Sequence, residues 1–157
     1  MHIVEGGLDD PRVVALLHIH RTRARAETAP DSAHALDVSG LRAADMSFWS
    51  AWDGDTVVGI GALRQLSADH GELKSMYTAE AARGRGVGSA MLRHIIAAAR
   101  ARGMSRVSLE TGSWPYFDPA RALYTRHGFV ECAPFGDYRP DPNSTFMTLA
   151  LGSRTRE

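Results

Sequence analysis

Arg83-Gly84-Arg85-Gly86-Val87-Gly88-Ser89 runs without a break into Ala90-Met91-Leu92-Arg93-His94-Ile95-Ile96, and this stretch decides how the rest of the chain is read. Met91, Leu92, Ile95, Ile96 and Ala99 recur at helical spacing, which predicts a helix from Ser89 to Arg102. Gly103 stands where a C-terminal cap belongs, and Arg100 and Arg102 suit the negative end of the helix dipole. Upstream, Gly71-Glu72-Leu73-Lys74-Ser75-Met76-Tyr77-Thr78 alternates apolar and polar residues and reads as a strand. A strand, a glycine-arginine turn and a helix in that order form a local anion site: uncapped N–H groups point out of the helix start and glycines let a ligand approach closely. The ligand expected there carries phosphate.

Spacing discriminates among phosphate-binding loops. A nucleotide P-loop needs a lysine directly after its last glycine, and none follows here. A dinucleotide fingerprint places its first glycine immediately after the strand, whereas Ala79 to Arg83 intervene and Ser89 occupies the third glycine position. Glu110 does lie about where a ribose-binding acid would stand, but 157 residues leave no room for the usual second domain.

Working outward, Asp10-Pro11 is an N-cap followed by a first-turn proline, with Val13, Val14, Leu16 and Leu17 giving one apolar face. That first helix carries on through the arginines at 21, 23 and 25 and stops at Ala29-Pro30-Asp31-Ser32. A short second helix is expected around Leu41 to Asp45. From Phe48 the period becomes that of strands: Phe48 to Trp52, then Asp53-Gly54-Asp55 as a hairpin turn, then Thr56 to Leu63. Further strands are read at Arg106 to Thr111, Phe129 to Ala133 and Thr145 to Leu151. Asp118-Pro119 is read as the cap of a helix reaching Gly128, and Pro134 to Ser144 as a loop. This is an α/β layered fold with some parallel pairing from its strand-helix-strand units.

Lys+Arg and Asp+Glu both number 18, so no long-range field draws the chain to nucleic acid or to an anionic membrane, and neither is expected as a partner. A lone Cys132 cannot close an intramolecular disulfide, and the N-terminus lacks a signal-peptide plan, which points to a cytoplasmic setting. Cys132 reads as a structural thiol rather than an acyl-carrying nucleophile. No apolar run reaches the roughly 20 residues that cross a bilayer. His18, His20 and His34 are poorly spaced for a shared ion, and no metal is expected. Trp49 and Trp52 read as core.

The glycine segment resembles motif A of the GNAT superfamily of N-acetyltransferases, Arg/Gln-x-x-Gly-x-Gly/Ala, with Arg83, Gly86 and Gly88 at the specified positions. Leu123-Tyr124-Thr125-Arg126-His127-Gly128-Phe129 is similar to the Leu-Tyr-x-x-x-Gly-Phe that closes this family's last helix. The two together cover Thr56 to Leu151, while residues 1–47 match only in element order. The resemblance implies a stand-alone, single-domain GNAT fold over 1–157. Its variable N-terminal strand and helices would span 1–47 and its acyl-CoA-binding core 48–151. A mixed sheet of about six to seven strands would carry helices on both faces, with two parallel strands splayed at the CoA site.

It further implies acetyl-CoA as acyl donor and a small amine, amino acid or peptide as acceptor in a direct ternary-complex transfer. The alternative of another class is a non-catalytic acyl-CoA sensor. Met76, Tyr77 and Thr78 would line pantetheine, and the backbone of Arg83, Gly84, Arg85, Gly86, Val87, Gly88 and Ser89 would hold the pyrophosphate. The Met76 N–H would polarise the thioester carbonyl. Glu72 takes the place of the catalytic glutamate of the histone acetyltransferase branch, with His70 as the other candidate base. Tyr124 matches the tyrosine that protonates the departing thiolate. Tyr138 and Arg139, in the variable loop, would contact the acceptor. Many relatives place Asn at the start of the last helix, where this chain has Phe117 and Asp118. The sequence leaves a homodimer open.

Overall fold

The structure, a computed structural model, describes residues 1–152. The last five positions of the expected 1–157 unit lie outside the described residues. One seven-stranded sheet organises the chain: β1 His2–Glu5, β2 Met46–Asp53, β3 Thr56–Gln65, β4 His70–Thr78, β5 Arg106–Gly112, β6 Val130–Glu131 and β7 Ser144–Ala150. Their order across the sheet is β1-β2-β3-β4-β5-β7-β6, and every neighbouring pair is antiparallel except β4 and β5. That single parallel pair needs a crossover, which α3 (Val87–Ala101) provides. The other helices are α1 Pro11–Ala26, a short α2 Val38–Leu41, and α4 Asp118–Arg126.

Strand alternation divides the core in two. On one face Trp49, Ala51, Leu63, Leu73 and Leu109 pack against Met91, Leu92, Ile95 and Ile96 of α3 and against Tyr124 of α4. On the other, Phe48, Trp52, Ile60 and Ala62 meet Val13, Leu16 and Leu17 of α1 and Leu41 of α2. Trp49 and Trp52 fall on opposite faces because they stand an odd number of positions apart on one strand. Gly54, at φ 59°, makes the expected hairpin turn between Asp53 and Thr56.

Three local expectations are corrected. The second helix lies at Val38–Leu41, not around Leu41 to Asp45, because the Asp37 carboxylate accepts from the Gly40 N–H and caps it there. The strand read as Phe129 to Ala133 pairs only at Val130 and Glu131, since it meets β7 at its edge and Pro134 follows closely. Asp118 is the first residue of α4 rather than its cap, and its carboxylate is turned to the Arg121 guanidinium.

Candidate functional site

β4 and β5 pair in register from His70↔Arg106 to Leu73↔Leu109 and then part. Beyond that point β4 also leaves regular pairing with β3: Ala62 pairs with Lys74 and Ile60 with Tyr77, so Ser75 and Met76 together face Gly61. Ser75 sits at φ 56°, which marks the bulge, and a bulge re-aims the backbone of the residues beside it. Gly61 makes room for it, since a Cβ there would stand 2.7 Å from Ile95, 2.9 Å from Met91 and 3.1 Å from the Met76 sulfur. Met76 is thereby freed from the ladder at the mouth of the gap between the two strands.

At the other end of that gap is the glycine turn. Gly84 and Gly86 lie at φ 80° and 81°, and Gly86 is the N-cap of α3 with no side chain bonded back to it. The first N–H groups of this 15-residue helix are therefore available to an anion. Gly88 allows close packing, because a Cβ would lie 3.2 Å from Leu123 and 3.6 Å from Thr78. Ser89 Oγ is held by His127 Nε2 at 3.1 Å. Arg83 donates from Nε to the Thr78 carbonyl at 3.3 Å and lies over the Tyr77 ring, so its charge is fixed beside the turn.

A cavity of about 430 Å³ joins these parts, and it passes from the turn through the gap to the residues between α1 and α2. Met76, Tyr77, Thr78, Arg83, Gly84, Gly86, Val87, Gly88, Ser89 and Tyr124 all line it, as does Phe117 in place of the family's asparagine. Arg85 and Arg139 are exposed and do not line it. A glycine cradle opening onto an uncapped helix start, continued by a gap between strands, fits a pyrophosphate followed by a slender chain.

The two candidate bases read from the sequence lie off the cavity wall, while Tyr124 lines it. Glu72 does not reach the cavity: it is 1% exposed, and its Oε2 accepts from the Tyr138 hydroxyl at 2.5 Å and from Lys74 Nζ at 3.2 Å. Arg64 stands 3.9 Å from its other oxygen. Sealed and paired in this way, the Glu72 carboxylate is out of reach of a ligand in the cavity. Tyr138 is correspondingly turned to Glu72 and away from the cavity wall. His70 bonds Ser108 Oγ at 2.7 Å, also off the wall, and burial lowers its pKa.

Glu110 takes the position that Glu72 lacks. It follows Leu109, the last β5 residue paired with β4, and it lines the cavity. Burial raises its pKa, partly offset by the Ser144 hydroxyl and by the charges of His34 and Lys74. Tyr124 is buried against Phe129, and its phenol is pushed up by burial and then by the charge of Glu110. Lys74, His34 and Thr28 complete the far end. The alternation that put Glu72 on one strand face could have flagged Lys74; nothing local in residues 27–37 marks Thr28 or His34. Among the described residues no cluster of His, Cys, Asp or Glu is arranged to hold a metal ion, and no helix is long and apolar enough to cross a membrane.

Residues 13–129 match the acetyltransferase (GNAT) family. The chain is 47% identical over 151 residues to the uncharacterized N-acetyltransferase YsnE of Bacillus subtilis (strain 168), covering 96% of this chain and 100% of that protein. It is 42% identical over 122 residues to an IAA acetyltransferase of Azospirillum brasilense, covering 77% and 78%. A crystal structure of aminoglycoside 6'-N-acetyltransferase complexed with coenzyme A superposes with a TM-score of 0.74 at 15% identity, covering 99% of this chain and 100% of that one.

Proposed function

Since the chain belongs to the GNAT family and is an N-acetyltransferase, we propose that it uses acetyl-CoA to acetylate a primary amine by direct attack within a ternary complex. The observation that carries this reading is that Glu110 and Tyr124 line one cavity where β4 parts from β5, in line with the glycine turn. Bound acetyl-CoA supplies the thioester. The N–H groups from Gly84 to Ser89 would hold its pyrophosphate, with Arg83 beside them. The Met76 N–H, released by the bulge, would donate to the carbonyl oxygen as charge builds there.

An ammonium cannot attack, so a base must first accept its proton. We assign that role to Glu110 rather than Glu72. As the amine nitrogen bonds to the acetyl carbon, the carbon–sulfur bond breaks, Tyr124 gives its phenolic proton to the sulfur, and the proton that the new amide nitrogen must still lose returns to the Tyr124 phenolate. The two groups help each other: the negative charge of Glu110 holds Tyr124 protonated, and once Glu110 has taken the proton that restraint on Tyr124 is gone.

Thiol release from acetyl-CoA across a panel of amines, with initial velocities at varied concentrations of both substrates, tests the reading. Intersecting patterns and a stoichiometric N-acetyl product are expected. Thiol release with no acetylated amine, or a parallel ping-pong pattern, would refute it.

A further inference from the structure

Resting on that reading, we propose that the acceptor carries a carboxylate close to its amino group, and that Lys74 and Thr28 recognise it. The acceptor is then of the amino-acid class rather than a simple amine.

Lys74 is a cation built into the wall. Its side chain is 8% exposed, and Nζ donates to Glu72 Oε2 at 3.2 Å and to the Tyr138 oxygen at 3.1 Å. An ammonium has three donors, and these two bonds leave one on a residue that lines the cavity. The anchor holds the ammonium in one place, so little side-chain entropy remains to be lost on binding. Glu72 is shared between two cations, Lys74 and Arg64, so it does not occupy the Lys74 ammonium alone.

Thr28 supplies a second, independent observation. It is 8% exposed and lines the same cavity, yet its Oγ1 is buried with no hydrogen-bond partner among the described residues. An unpartnered buried hydroxyl costs stability, which is recovered if a ligand oxygen accepts from it. His34 lies next to this end, with its ring edge-on to Tyr138 at 5.0 Å between centroids. Glu110, which feels the charges of both His34 and Lys74, stands within reach of the same ligand and would meet its amino group. Anion and cation sites so close together suit a compact zwitterion.

Matched acceptor pairs test this: amino acids against the amines left by removing their carboxyl groups, assayed with acetyl-CoA by thiol release and product mass. The amino acids should show kcat/KM about 10- to 100-fold higher, the effect of one hydrogen bond to a charged group. Thr28→Val, which keeps the shape and removes the hydroxyl, should narrow that ratio through KM while leaving the melting temperature equal or higher. Lys74→Met should narrow it further. Turnover of the decarboxylated amines at equal or greater kcat/KM would overturn the carboxylate subsite and leave the amine-acetylation reading intact. No turnover of any acceptor, with acetyl-CoA still bound, would overturn both.

Discussion

The Tyr138 hydroxyl donates a 2.5 Å hydrogen bond to Glu72 Oε2 across 66 positions of sequence, and so ties the loop after β6 to the middle of the sheet. Burial and the Glu72 charge both raise the pKa of Tyr138, so the phenol remains a donor at any physiological pH. Tyr138→Phe keeps the ring contacts with His34, Phe135 and Phe146 and removes this bond together with the one the hydroxyl accepts from Lys74 Nζ. It should cost about 1.5–3 kcal/mol, the range for hydrogen bonds to charged groups. For a chain of this size that corresponds to about 2–4 °C of melting temperature per kcal/mol. Thermal or urea unfolding gives the answer, and an unchanged midpoint would mean that Lys74 and Arg64 alone satisfy Glu72.

Glu110→Gln removes the proposed proton acceptor from the cavity without emptying space. The loss expected in kcat is about 10²–10⁴-fold, the range for general acid–base catalysis. In the unsubstituted enzyme Glu110 must be ionised to act, so kcat/KM should rise with pH through a midpoint above the ordinary carboxylate range. The variant should lose that limb. Stability moves the other way. A carboxyl whose folded pKa is raised contributes stability below its unfolded pKa and loses it as pH rises through the folded one. At neutral pH the ionised Glu110 is therefore a burden, and Glu110→Gln should unfold at a higher temperature. A variant that is equally active, or inactive and less stable, would remove Glu110 from the mechanism. The same series on Glu72→Gln should lower stability at neutral pH, because it leaves Lys74 buried without its anion.

Tyr124→Phe tests the other half of the proton path. The ring stays packed on Phe129, so binding of acetyl-CoA and the melting temperature should change little. kcat should fall by about 10²-fold or more, the lower end of the range for a lost general acid. Acyl donors whose leaving thiolate needs no protonation should lose less. Equal losses for thioesters with good and poor leaving groups would assign Tyr124 to packing alone.

Much of this was legible because it is local. The helical period from Met91 to Ala99, the glycines before it and the Asp-Gly hairpin are set by residues close in sequence, and each stands where the pattern put it. The choice between Glu72 and Glu110 was not local. Both point to one face of the sheet, and which of them reaches the gap depends on where the β4–β5 pairing ends, at Leu73 and Leu109. What seals Glu72 is Tyr138, on a loop whose docking no short pattern reveals. Thr28 and His34 enter the site from a segment with weak periodicity between α1 and α2, positioned in part by Ser32 Oγ, which donates to Asp141 at 2.5 Å. Tertiary contacts at that range carry no sequence period.

Gly86→Ala separates the two jobs of the glycine turn. Gly86 holds φ 81° at the N-cap of α3, and a Cβ there would meet nothing within 4 Å. Sterics with neighbouring groups are thus absent, and the penalty is conformational: about 1–2 kcal/mol for an L-residue held in the left-handed region. The chain can avoid that penalty by rotating the turn, but rotation swings the N–H groups of Val87 and Gly88 away from the line of the cavity. Acetyl-CoA affinity should then fall, and it should fall for free CoA as well, since the loss is at the pyrophosphate and not at the acyl end. Desulfo-CoA and CoA titrated calorimetrically against both proteins should show equal ratios of dissociation constants, while a pantetheine thioester that lacks the pyrophosphate should bind the two alike. A pantetheine ligand weakened as much as CoA would show that the turn shapes the gap between β4 and β5 rather than the anion site.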